Sequence, residues 1–441
     1  MMRTTLDAPA PRRWLRRLGY VALALAAGLA LALALALQTS PRVARPPDSA
    51  SARHAMAAGE ALRGFATTGG APDSLTLSED EIDAVMAAAS RLAPGVDGAA
   101  HPTGSGVGLE LSVGAPYLPQ GLWANVALDV TATPEGLALE RAQIGRLPLP
   151  AGLVEAAAVA GADRLIGAPL ARQALAGVTG LEVGDGAVTA RFGYTAEERR
   201  ELIDRIRAAM GTEARDKGPI YTTLWWFDHG GETGELPKAG SALPYLRWGL
   251  ERSPSVARKH AGVSDRDLAT GALLALALYC GEPAIGPAIG VQLNDEMRGE
   301  KNYCEKTRLG GRDDLKRHFS VSAALYALST GEAAFGVGEL KELIDSGAGG
   351  TGFSFDDMAA NLAGARFAAA FLEAPRSEWP AMLARIRSEA DVLPDLTGLP
   401  TRLSEAEFTE RFGAVDSPAY RAMIAEIEAR VAALPLEAAR R

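Results

Sequence analysis

Apolar positions along the chain fall into three regimes. Residues 18–37, LGYVALALAAGLALALALAL, are uncharged throughout. In the strands read between 107 and 192 apolar residues recur at every second position. From 236 onward they recur at helical spacing.

The first regime predicts a membrane-crossing helix. Twenty residues at a rise of about 1.5 Å span about 30 Å, the thickness of a hydrocarbon core. Arg3, Arg12, Arg13, Arg16 and Arg17 precede it against one acid, Asp7, in a basic stub over 1–17. The positive-inside rule then puts the N-terminus in the cytoplasm and the body outside it. The expected location is a bacterial inner membrane crossed once, with the body in the periplasm and the bilayer as first partner. A cleaved signal peptide is the competing reading, with Ala34 and Ala36 as a small-residue cleavage site. The run is longer than the usual signal core of about 7–15 residues, which favours an uncleaved anchor.

Residues 38–73, with Pro41, Pro46, Pro47 and Gly69–Gly70, show no apolar period and read as a tether. Residues 74–215 read as α+β. Ser78 and Glu81 form a capping box before a helix bearing Ile82, Val85, Met86 and Ala89. Strands follow through Val107, Leu109, Leu111 and Val113, then Val126, Leu128 and Val130, then Leu137 and Leu139. The last is closed by the prolines of IGRLPLP (144–150). An Ala-rich helix over about 151–175 precedes a hairpin turning at Gly184-Asp185-Gly186, and a charged helix covers 195–210. The aromatic stretch 216–235 reads as a junction in which Trp225, Trp226 and Phe227 bury an interdomain seam. His229 beside Asp228 reads as a solvated turn residue. The remainder, to 441, reads as a helical bundle. Its helices lie at 242–252, 263–279, 312–329, 335–346, 355–373, 376–389, 403–412 and 416–434.

The net charge of −9, from 45 Lys+Arg and 54 Asp+Glu, argues against nucleic acid as a partner. Two cysteines exclude a Cys₄ zinc site. In an exported body Cys280 and Cys304 pair as a disulfide across a Gly/Pro-rich loop.

Candidate chemistry lies at 312–368. Leu315, His318, Ser322 and Leu325 form one helical stripe, placing His318 inward. Glu342 and Asp345 share a flank of the next helix, beside Lys341. Asp357, Asn361 and Gly364 line a stripe of small and polar residues on the third, where close helix approach leaves an interhelical pocket. A histidine with carboxylates can hold a divalent metal at His318, Glu342, Asp345 and Asp357. It can also serve as an acid–base site, with His318, Glu342 and Asp357 as catalytic groups and Lys341, Asp345, Asn361 and Ser322 as binding groups. The structural alternative is a helix lock, with Ser354-x-x-Asp357 a capping box and Lys341–Asp345 an i,i+4 pair. No nucleophile elbow, P-loop, HExxH or dinucleotide-binding glycine pattern occurs.

At His318-Phe319, Glu342 with Asp345, and Ser354 to Gly364, the chain resembles the VanZ-like superfamily and related exported envelope proteins. More weakly, LTLSEDEIDAVM, the alternating strands and IGRLPLP resemble YpmS-type anchored domains, similar to tubular lipid-binding folds. The first resemblance implies an envelope role and a shared helical core over about 312–368. The second implies a curved antiparallel sheet leaving an apolar groove over 74–215; a packed α+β domain has the same periodicity. Three functions follow as expectations: binding of lipid or another envelope ligand near the membrane, an envelope hydrolase at the His/carboxylate cluster, or a scaffold.

Overall fold

The computed structural model describes residues 27–438 except 45, 68–72, 93–94, 135, 167–168, 210–216, 261, 287–288, 292, 294–301, 330 and 348. The architecture is mixed α+β: an antiparallel, sheet-containing half followed by a helical half.

The membrane-crossing helix expected over 18–37 is overturned. Among the described residues no helix is long and apolar enough to cross a membrane. Residues 1–26, which hold the basic stub and the start of the run, lie outside the described ones. Residues 27–36 are helical. The chain then extends into β1 (Leu37–Gln38), which pairs antiparallel with Trp123 and Ala124. Arg146 N–H donates to Leu35 C=O at 2.7 Å. The end of the apolar run is thus committed to a sheet.

The tether expected over 38–73 is also corrected, because it contains a helix, α1 (Ser49–Thr67). Asp48 caps it by accepting from Ser51 N–H at 2.8 Å, and Ala52 and Ala58 are buried. Strand β2 (Ser74–Ser78) leads into α2 (Glu79–Leu92), with the capping box in place: Ser78 N–H donates to Glu81 Oε2 at 2.8 Å.

The main sheet runs β3 (Val96–Pro102), β4 (Gly106–Val113), β5 (Trp123–Thr133), β6 (Gly136–Ile144) and β7 (Leu147–Leu149), with β1 on β5. All these pairings are antiparallel. IGRLPLP does not end the sheet. Pro148 sits opposite Gln143 in the edge strand β7, where a missing donor is tolerated. The alternation is legible, but burial is deepest on the other set of positions. Gly106, Gly108 and Ser112 are buried, whereas Val107, Leu109, Leu111 and Val113 are half-buried. Ser112 and its cross-strand partner Asn125 bind the incoming chain: Arg42 N–H donates to Asn125 Oδ1 and Val43 N–H to Ser112 Oγ, both at 2.9 Å.

The expected Ala-rich helix is two, α3 (Ala151–Ile166) and α4 (Leu170–Ala176). Strands β8 (Val178–Gly184) and β9 (Ala187–Phe192) form the predicted hairpin and pair with β2. Asp185 and Gly186 take φ of 52° and 70°, the left-handed pair of a type I′ turn. Helix α5 (Ala196–Ala209) follows.

The expected junction 216–235 contains helix α6 (Gly218–Thr233), opened by Pro219. Phe227 is fully buried, with ring centroids 5.8 Å from Tyr245 and 5.6 Å from Tyr279. Trp225, by contrast, is 46% exposed and stacks on His229 at 4.9 Å, so the trio does not bury one seam. Helices α7 (Leu243–Glu251), α8 (Ser253–Lys259) and α9 (Asp265–Leu276) follow, and the apolar α9 is central, as its run predicts. Cys280 and Cys304 form the expected disulfide.

Helices α10 (Asp313–Leu328), α11 (Gly331–Ser346) and α12 (Phe355–Glu373) build the candidate site. Gly364 sets the α10–α12 approach: a Cβ there would lie 2.1 Å from Phe319 C=O. Helices α13 (Glu405–Phe412) and α14 (Pro418–Ala432) close the bundle. The two halves meet along α1 and α2, both of which pack on α11. Arg91 Nε lies 2.7 Å from Glu339 on α11, and Glu339 also accepts from the Tyr420 hydroxyl at 2.5 Å.

Candidate functional site

Three helices bring six of the seven proposed site residues around one cavity of about 670 Å³. His318 and Ser322 come from α10, Lys341 and Asp345 from α11, and Asp357 and Asn361 from α12. The seventh, Glu342, is fully buried just behind Lys341. Val321, Leu325 and Val337 give the cavity an apolar wall, and Val337 is 41% exposed. An exposed valine beside a buried glutamate inverts the usual helix pattern, the kind of local violation that functional sites retain.

The histidine is held in one tautomer. Asn361 Oδ1 accepts from Ser322 Oγ at 2.9 Å and lies 3.0 Å from His318 Nδ1. An amide oxygen cannot donate, so Nδ1 carries the proton and Nε2 faces the other groups. Nε2 lies 3.4 Å from Asp357 Oδ2, 3.6 Å from Glu342 Oε1 and 3.2 Å from Lys341 Nζ.

Each carboxylate is anchored through its other oxygen. Glu342 Oε2 accepts from Ser354 N–H at 3.1 Å, and Asp357 Oδ1 accepts from Arg312 at 3.0 Å. Arg312, at the N-cap of α10, also grips Asp356 and Asp314. The predicted capping box at Ser354 does not form. Ser354 Oγ instead contacts Thr401 Oγ1 at 3.1 Å and accepts from Arg402 N–H at 3.0 Å, leaving Asp357 to Arg312 and His318.

Burial pushes the Glu342 carboxyl up to about 7, although Lys341 and His318 oppose it. Burial pulls the His318 imidazole down, but the hydrogen bond and charge of Asp357 outweigh this and raise it above its usual value. Lys341 is raised too, because Glu342 and Asp345 outweigh its own desolvation.

His318, Glu342 and Asp357 offer ligand atoms all within 4.8 Å of one another, a set able to hold a metal ion. Asp345 stands apart from this trio. It binds Lys341 Nζ at 2.6 Å, the i,i+4 pair read from the sequence. Sequence reasoning missed Arg312, Thr401 and Arg402. The signal for Arg312 was present in its position before the Asp-Asp opening of α10, whereas Thr401 and Arg402 arrive from a distant loop that no periodicity marks.

In the sheet-containing half a cavity of about 510 Å³ is lined by Gln173, Tyr194, Glu198, Glu201 and Arg205 among others, not by the alternating residues of β4 and β5. No family model, curated protein or solved structure matches this chain.

Proposed function

We propose that the helical half is a hydrolase for a small amphiphile, with water activated at the His318–Glu342–Asp357 cluster. The observation that carries this reading is the convergence of the three groups beside an open cavity, His318 and Asp357 on its wall and Glu342 buried behind them. Close approach of a histidine and two carboxylates beside solvent-accessible space is what water activation requires. Asn361 and Ser322 fix the imidazole, and Arg312 fixes Asp357. Lys341 and Arg402, at the polar side of the cavity, offer positive charge to an anionic group or a developing oxyanion. Val321, Leu325 and Val337 provide the surface for an apolar portion of the substrate. The expectation of lipid binding is thereby moved from the sheet to this cavity.

The test is turnover of p-nitrophenyl esters and phosphoesters of graded chain length by the purified chain. The expected result is cleavage that improves with chain length, lost in His318→Ala and Asp357→Asn with little change in melting temperature. If no probe is cleaved and both variants melt many degrees lower, the cluster is a helix lock. Binding of a long-chain probe without cleavage would leave only a ligand-binding role.

A further inference from the structure

The three acid and imidazole groups share a pattern that acid–base chemistry does not demand. Each turns one heteroatom to a common centre and has its other heteroatom tied down from behind. His318 presents Nε2 while Nδ1 is tied to Asn361. Glu342 presents Oε1 while Oε2 is tied to Ser354 N–H. Asp357 presents Oδ2 while Oδ1 is tied to Arg312. Backing of every ligand by a second hydrogen bond is the habit of metal centres, where outer partners orient the ring and the carboxylates. Asn361 is itself fixed by Ser322, and its Nδ2, buried at the cavity wall, has no hydrogen-bond partner among the described residues.

The spacing agrees. Ligand atoms about 2.0–2.1 Å from a tetrahedral zinc lie about 3.4 Å from one another. Nε2 is 3.4 Å from Asp357 Oδ2 and 3.6 Å from Glu342 Oε1. One imidazole and two carboxylates, with the cavity on the fourth side, is an open site of the catalytic type.

The centre is claimed by a side chain. Lys341 Nζ lies 3.2 Å from His318 Nε2 and 3.1 Å from Glu342 Oε1, where an ion would touch the same atoms. Its side chain is 49% exposed, and Asp345 Oδ2 holds the ammonium from the outer side at 2.6 Å. The lysine can therefore leave without crossing packed structure, and its outer partner is already in place.

We infer that His318, Glu342 and Asp357 form a divalent transition-metal site, of zinc type, guarded by Lys341, whose ammonium yields the centre and withdraws to Asp345 when the ion enters. This deepens the hydrolase reading and rests on it only for what the ion does, which is to activate water. Binding itself stands on the geometry above.

The test uses the full chain, stripped with chelator and titrated with zinc by calorimetry, with cobalt(II) as a spectroscopic probe. Expected are one ion per chain and the visible bands of a low-coordinate cobalt site, a readout that needs no variant. His318→Ala should weaken zinc on the order of 100-fold or more, and Asn361→Ala by about 10–100-fold. Lys341→Met, at a half-exposed position, should bind zinc more tightly than the parent. Absence of stoichiometric binding, or Lys341→Met binding no tighter, overturns the inference. Hydrolysis that persists in the stripped chain overturns the ion's part in activating water and spares the hydrolase. Zinc binding with no probe cleaved overturns the hydrolase and spares the metal site.

Discussion

Gly338 lies directly against the amide of Asn361. A Cβ built at 338 would stand 2.5 Å from Asn361 Nδ2 and 3.1 Å from its Cγ. That amide also receives His318 Nδ1 and Ser322 Oγ, so it has little freedom to retreat. Gly338→Ala should therefore disturb the site through Asn361. We expect a loss of about 1–3 kcal/mol, the usual cost of overpacking, read by denaturant melts. The imidazole resonances of His318 should move in NMR spectra, and any activity or metal affinity should fall further than stability alone explains. An unchanged His318 spectrum would show that the amide can shift without cost.

Arg312 binds three aspartates, and two of them, Asp356 and Asp357, are 5% and 7% exposed. Arg312→Gln would leave those two carboxylates without their cation. Removing one partner of a fully buried pair costs about 3–5 kcal/mol. Arg312 is itself about a third exposed, and solvent screening lowers the expected loss to about 1–3 kcal/mol. Arg312→Lys should recover only part of it, since a point charge cannot span three carboxylates as the planar fork does. Equal melting temperatures for the lysine variant and the parent would refute the role of the fork.

Glu339 carries the pH dependence of the contact between the halves. Burial raises its carboxyl above the usual 4.5, and Arg91 and the Tyr420 hydroxyl only partly counter this. A raised carboxyl pKa means that the folded chain holds this proton more tightly than the unfolded one. Stability from this group is therefore complete below pH 4.5 and is lost as pH rises through the folded value. Glu339→Gln, which keeps the size and removes the titration, should flatten this decline. Equilibrium unfolding of both proteins at a series of pH values checks it; parallel curves would contradict the assignment.

Much of this arrangement is legible in the sequence, and the failures share a cause. The stripe Leu315–His318–Ser322–Leu325 and the pair Asp357–Asn361 are local, periodic signals, and their helices form. The Ser78–Glu81 box and the Asp185-Gly186 turn are local chemistry of the same kind. Misreadings occur where distant chain intervenes. Leu37 ends an apolar run, yet β5 pairs with it. Ser354 has the spacing of a capping box, but Thr401 and Arg402 take its hydroxyl and Arg312 takes Asp357. Ser112 falls between the apolar positions of β4, and residues 42 and 43 bury it. Periodicity reports which face of an element is apolar; it does not report what arrives to cover the other face.

The disulfide supports α10 through Lys316. That side chain is 2% exposed, and its ammonium donates to Cys304 C=O at 2.9 Å and Glu305 C=O at 3.3 Å, with Asp313 at 3.0 Å. His318 is two residues further along the same helix. The bridge spans a sequence separation of 24, for which chain entropy gives roughly 3–4 kcal/mol. Replacing both cysteines by serine should cost about that much in equilibrium unfolding. It should also loosen the carbonyls that hold Lys316, so hydrogen exchange should accelerate at 313–318 more than at 355–373. The contrast separates a local tether from a general loss of stability, since a merely global effect would speed both helices alike. Uniform acceleration, or none, would show that Lys316 holds α10 in place without the bridge.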